Sequence, residues 1–139
     1  MGFRWVLAAL LANPAWANPE ATAALNAMRS AQGLVALSYS TALEDAAQSH
    51  ADDMARQGYF AHRAPDGSDA ADRVRRAGYD WCLVAENIAK GQSDLKEVMA
   101  DWFASPAHRS NMLLVGAEGF GLARAEGQVW VMVLAARNC

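Results

Sequence analysis

The sequence predicts an α/β domain in which helices lie above and below a small sheet. Three observations predict it. Four segments carry apolar residues at helical spacing and stop on Gly33, Gly58, Gly78 or just before Ser105-Pro106. Residues 120–124 and 129–134 flank the turn Ala125-Glu126-Gly127 as a hairpin. The second of these strands, VWVMVL, has no polar face, and a strand apolar on both sides must be covered on both sides.

Each helix has its own punctuation. The first follows Asn18-Pro19, a cap with proline in the first turn, and aligns Ala21, Ala24, Leu25 and Met28. The second opens on Thr41-Ala42-Leu43-Glu44, a capping-box spacing, and aligns Leu43, Ala47, His50 and Met54. A third, short helix starts at Ser68 with Val74 and Ala77 inward. The fourth runs from Asp94 to about Phe103 with a stripe of Leu95, Val98, Met99, Trp102 and Phe103. A further strand is expected over 82–88, apolar except for Glu86 and Asn87.

With 139 residues and a hydrophobic fraction of 53%, the chain suits one domain with a real core, placed at 18–139. Residues 1–17 set Arg4 before a short apolar run that ends in Ala15-Trp16-Ala17, the pattern of a cleaved secretory leader; retention as an uncleaved anchor is the alternative. No later segment is long and uncharged enough to span a bilayer. The expected product is a secreted or periplasmic protein, a monomer without a transmembrane segment. Cys82 and Cys139, an even pair in an oxidising compartment, are expected to bridge, with two unpaired thiols as the other reading. A net charge of -3 speaks against a nucleic-acid surface. The local exception, Arg63, Arg73, Arg75 and Arg76, reads as a solvated helix face in preference to an anion site.

Among the three histidines, His50 lies in the inward stripe of its helix and reads as a satisfied core residue. His62 follows Tyr59-Phe60 and precedes the turn-forming Ala64-Pro65-Asp66-Gly67, which exposes it on a loop. His108 sits just after Pro106, with its ring toward a cleft and Arg109 outward. Glu86 is a carboxylate inside a strand that otherwise looks buried, so it requires a partner: a cation, an imidazolium, a metal or a backbone donor. Two histidines and a glutamate are ligands zinc accepts, although their spacing lacks the local H-E-x-x-H signature. Ser105 and Ser110 flank His108 but lie in no nucleophile elbow, and Ser105 is explained by its Ser-Pro helix stop.

The ordered motifs YFAHRAPDG, AENIAKG, WFASPAHRSNML and GFGLA, followed by the apolar last strand, resemble the CAP superfamily of cysteine-rich secretory proteins, venom antigens and plant pathogenesis-related proteins, in a short bacterial form. The resemblance runs from about residue 25 to 134. It implies a three-layer α-β-α sandwich with a small, mainly antiparallel sheet, and a cleft lined by two histidines and two acids that in some members binds zinc or another divalent cation. Motif by motif, His62 and His108 match the histidines and Glu86 one acid. The second acid is missing: its position is Ser105, and Glu97 is placed to reinforce the Asp94 cap instead. Asn87 is expected to hold the strand by hydrogen bonds.

The family shares no single reaction, and a fold hosts sites without dictating function. The expected function is therefore a binding module whose cleft of His62, Glu86, His108 and Asn87 takes a ligand, a weakly held metal or a partner, whether lipid, small molecule, envelope component or protein. The alternative is a metal-dependent hydrolase in which His62 and His108 hold the metal and Glu86 acts as ligand or base.

Overall fold

The all-apolar C-terminal segment forms β4 (Val129–Ala136), every residue of which is buried. In a computed structural model that describes residues 18–139, it lies inside a four-stranded sheet of order β1-β3-β4-β2, with β1 (Ser38–Tyr39), β2 (Leu83–Lys90) and β3 (Gly119–Ala125). β4 pairs antiparallel with both β2 and β3, and the two-residue β1 pairs parallel with β3. The sequence reading missed β1, which is too short to carry a period. The expected leader, 1–17, lies outside the described residues. Within them no helix is long and apolar enough to cross a membrane.

Alternation along β4 divides the core in two. Val129, Val131, Val133 and Ala135 face α2 (Thr41–Gln57) and α3 (Ala70–Arg76), packing on Leu43, Ala47, Ala51, Met54 and Val74. Trp130, Met132 and Leu134 face α1 (Pro19–Ser30), α4 (Leu95–Ala104) and α5 (Pro106–Met112), packing on Leu25, Val98, Trp102 and Met112. This is the expected α-β-α layering, and each large side chain so buried contributes about 1.5–3 kcal/mol.

The helix starts depart from expectation by one residue where two capping residues compete. Ser40, not Thr41, caps α2 by accepting from Leu43 N, and the Glu44 carboxylate is taken by the Tyr39 hydroxyl. Asp69, not Ser68, caps α3 in a reciprocal capping box with Asp72. Ser68 instead donates its hydroxyl to Asp66. Asp94 caps α4 as expected, while Glu97 reaches back to Ser93 N and Oγ at 2.9 Å.

Three devices hold the elements that carry the site. A disulfide joins Cys82, just before β2, to Cys139, with Cα atoms 6.1 Å apart across 57 residues of sequence. By loop closure alone a bridge of that span stabilises the fold by about 4 kcal/mol. Arg29, only 1% exposed, donates Nη1 to Met112 O (3.1 Å) and Leu114 O (3.0 Å) and Nε to Val35 O (2.8 Å), closing the C-terminus of α5 with a cation. Finally α2 lies directly on β3 at Gly121, where an added Cβ meets Glu44 N at 2.1 Å. Gly121→Ala is therefore expected to push α2 off the sheet, costing at least about 1–3 kcal/mol; denaturant unfolding of the variant beside the unsubstituted protein measures the difference.

Candidate functional site

The site is organised by two consecutive residues of β2 that point to opposite faces of the sheet. Glu86 pairs across the ladder with Val133 and faces α2 and α3, whereas Asn87 pairs with Met132 and faces α5. β2 is an edge strand, and its outward polar groups are taken up by side chains: Asn111 Nδ2 donates to Glu86 O at 3.2 Å and Trp102 Nε1 to Ile88 O at 3.1 Å.

The partner that buried Glu86 requires is Arg73. Its Nη2 donates to both carboxylate oxygens, at 2.9 and 3.2 Å, and the two side chains are 5% and 3% exposed. The expectation of a solvated arginine face fails at this residue. Arg73 lies on the inward face of α3 with Ala70, Val74 and Ala77, at helical spacing, while Arg75 stacks over Trp81 at 5.0 Å and Arg76 stays exposed. The same guanidinium donates to His62 O (2.8 Å) and Ser68 O (3.2 Å), so it also pins both ends of the loop that carries His62.

His62 donates Nδ1–H to Glu86 Oε1 at 2.8 Å, and 58% of its side chain is exposed. That bond sets the tautomer, leaving Nε2 without a hydrogen-bond partner among the described residues. The Glu86 hydrogen bond raises the His62 pKa above its ordinary 6.5, with burial opposing. His50 is the buried core histidine expected: 1% exposed, it donates Nε2–H to Ala61 O at 2.8 Å, with Nε2 3.9 Å from Glu86. Burial lowers its pKa and the neighbouring carboxylate only partly opposes this, which favours the neutral ring.

On the other face, Asn87 is fully buried and binds α5 at two points. Its Nδ2 donates to His108 O (3.0 Å) and its Oδ1 accepts from Asn111 Nδ2 (2.9 Å). It thus ties strand to helix as well as holding the strand. His108 Nδ1 lies 2.9 Å from Ser105 Oγ. Ser105 makes no side-chain cap to α5, so its hydroxyl serves the histidine as well as its backbone ending α4. Ser105, the position at which the resemblance implies a second acid, is thus in contact with His108.

The structure brings His62 and Glu86 together and anchors His108 to the next residue of the same strand. Among the described residues no hydrogen bond joins His108 to His62 or to the Glu86 carboxylate, and no three His, Cys, Asp or Glu side chains are grouped to hold a metal ion. The donor set as it stands does not fit a resident metal, because Glu86 is already bound by a guanidinium and an imidazole. Asn111 is the residue that sequence reasoning missed, while Arg73 and Ser105 were singled out but given other roles. For Arg73 the signal was present, in its helical spacing from Val74 and in the buried acid's need of a cation.

Residues 22–134 match the model of CAP, the cysteine-rich secretory protein family. The chain belongs to the CAP family. Among curated proteins it is 34% identical over 106 residues to the uncharacterised protein YkwD of Bacillus subtilis (strain 168), covering 76% of this chain and 41% of the relative. It is 28% identical over 88 residues to the uncharacterised membrane protein YlbC of the same organism, covering 63% of this chain and 25% of that protein. The chain thus spans less than half the length of these relatives. Among solved structures, an extracellular protein containing a SCP domain from Bacillus anthracis str. Ames superposes with a TM-score of 0.76 and 29% identity, over 80% of this chain and 37% of that one. An outer surface protein from Borrelia burgdorferi superposes with a TM-score of 0.78 at 19% identity, over 87% and 96% of the two chains, a likeness of fold alone.

Two outcomes follow from the CAP-domain geometry. Arg73→Met leaves Glu86 buried without its cation and is expected to cost about 3–5 kcal/mol, while the apolar pair Arg73→Met with Glu86→Leu regains most of that; urea unfolding of the three proteins measures it. The histidines act oppositely with pH. For His62, whose folded pKa is raised, the stabilisation is present below 6.5 and lost as pH rises through the folded value. For His50, whose folded pKa is lowered, stability is lost as pH falls below 6.5, where the unfolded chain takes up the proton first. Melting temperature against pH should therefore fall more steeply on acidification in His62→Gln and less steeply in His50→Gln.

Proposed function

We propose that the protein is an extracytoplasmic CAP domain that binds a ligand or partner at the surface around His62, Glu86, Asn87 and His108 without catalysing a reaction. The observation that carries this reading is the saturation of Glu86. A carboxylate held by Arg73 through both oxygens, and by His62 through one, is a poor general base and a poor metal ligand. His62 and His108 each keep Nε2 free of protein hydrogen bonds among the described residues, which suits them to recognise a polar ligand as donor or acceptor. A divalent cation is, on this reading, a weakly held visitor with these two imidazoles as its available protein donors and water as the rest of its shell. The family membership and the extracellular relative from Bacillus anthracis support a place outside the cytoplasm.

The test is hydrolysis of peptide, ester and glycan panels by the oxidised protein, with and without added zinc, beside calorimetric zinc titration of the protein and of His62→Ala and His108→Ala. Expected are no turnover above that of His108→Ala and zinc binding that is weak and reduced in both variants. Turnover that is abolished by chelation, restored by zinc and lost in His108→Ala would establish a metal-dependent hydrolase instead.

A further inference from the structure

Two loops enter the sheet side by side, because β1 and β3 run parallel with Ser38 opposite Gly119. The loop from α1 to β1 carries Val35, 77% exposed, and the loop from α5 to β3 carries Val115, 76% exposed. These are the two most exposed large apolar residues among the described ones, and Leu34, Leu113 and Leu114 beside them are half-buried.

Arg29 brings the two loops together. Its Nε donates to Val35 O and its Nη1 to Leu114 O, while no carboxylate lies within ion-pair distance of it among the described residues. Other backbone groups of the loops are also satisfied from within. Leu34 N donates to Arg29 O at 3.0 Å, and the amide of Asn26 takes both Leu37 N (2.8 Å) and Leu37 O (3.0 Å). Leu113 N and Leu114 N donate to Arg109 O and Asn111 O at 3.0 and 3.2 Å. These groups need no water.

Charge is absent as well. No Asp, Glu, Lys, Arg or His lies between Arg29 and Glu44 or between Arg109 and Glu118, and Glu118 is itself taken by the amides of Arg137 and Asn138 at 2.7 Å. In residues 31–37 and 113–117 the one side chain able to hydrogen-bond is Gln32. A protein interface combines its apolar centre with tyrosine, tryptophan or arginine anchors and a hydrogen-bonding rim, neither of which these tips supply. A hydrocarbon boundary asks for the opposite: apolar side chains on a backbone whose polar groups are already paired.

We propose that the paired loop tips around Val35 and Val115 form a lipid-contact surface that dips shallowly into a bilayer and rests the domain on it. Being uncharged, the surface responds to the apolar layer and not to head-group charge. It uses none of His62, Glu86, Asn87 and His108, so its test stands apart from that of the ligand-binding surface.

Residues 18–139, which hold both halves of the core and the disulfide, are used so that the apolar run at 6–11 adds no lipid affinity of its own. Co-sedimentation with phosphatidylcholine vesicles is measured for this protein, for Val35→Asn with Val115→Asn, and for Phe60→Asn. Phe60, 48% exposed, lies beyond the other end of α2 and controls for the loss of any exposed apolar side chain. Expected is binding that added salt leaves unchanged, that falls roughly tenfold in the double variant and that persists in Phe60→Asn. Nitroxide-labelled lipid should also broaden the Val35 and Val115 methyl resonances first. No binding up to millimolar lipid, binding only to vesicles containing phosphatidylglycerol, or an equal loss in Phe60→Asn would overturn the proposal. Self-association without lipid binding, abolished in the double variant, would give the surface to a second copy of the chain instead.

Discussion

A carboxylate inside a sheet is the constraint on which the rest of this structure turns. Glu86 lies in a strand whose neighbours are buried on both faces, and an unpaired charge there would cost several kcal/mol in desolvation. Arg73 answers that demand, and the answer dictates geometry. The guanidinium must lie beside β2, so α3 packs against the same face as α2, and the loop between those helices must bend to give Arg73 the carbonyls of His62 and Ser68. His62 is placed by the same atoms. What looks like a functional histidine on a free loop is held from both sides, by its backbone to the arginine and by its ring to the acid.

Asn87 performs the corresponding task one residue later and on the opposite face. Its amide is neutral, so it can be buried completely at the cost only of finding its hydrogen bonds, and it finds them in α5 at His108 and Asn111. The alternation of a strand thus distributes one dipeptide between two layers of the domain. Arg29 secures the far end of α5, so the helix carrying His108 is fixed at both its strand-facing side and its C-terminus. His62 therefore sits on a loop and His108 on a short helix, each held in place by the strand between them.

The apolar framework permits this polar arrangement. β4 presents small β-branched residues and alanine to α2, and larger residues to α1, α4 and α5. On the α2 side the small residues and Gly121 let helix and sheet approach closely, which brings His50 within 3.9 Å of Glu86 in a buried setting that lowers its pKa. On the other side Trp102 both fills the core and donates to Ile88 O, closing the edge of β2 against further strand pairing.

How much of this could be read beforehand follows from the range of the interactions. The layered fold was legible because VWVMVL shows its two-sided burial within six residues, and the helices α1, α2 and α4 because period and punctuation are local. The disulfide partners were the only two cysteines present. By itself the sequence also determined that Glu86 needed a partner. It did not name one, since Arg73 stands 13 residues away in a run of similar arginines, and helical spacing singles it out only once α3 is known to pack on β2. Tertiary structure alone decided the two-residue β1, the contact of Ser105 with His108, and the role of Arg29 at a helix 83 residues distant. Periodicity reports which side of an element is buried; which charge meets which depends on how separate elements dock, and that is written in three-dimensional packing, not in neighbouring letters.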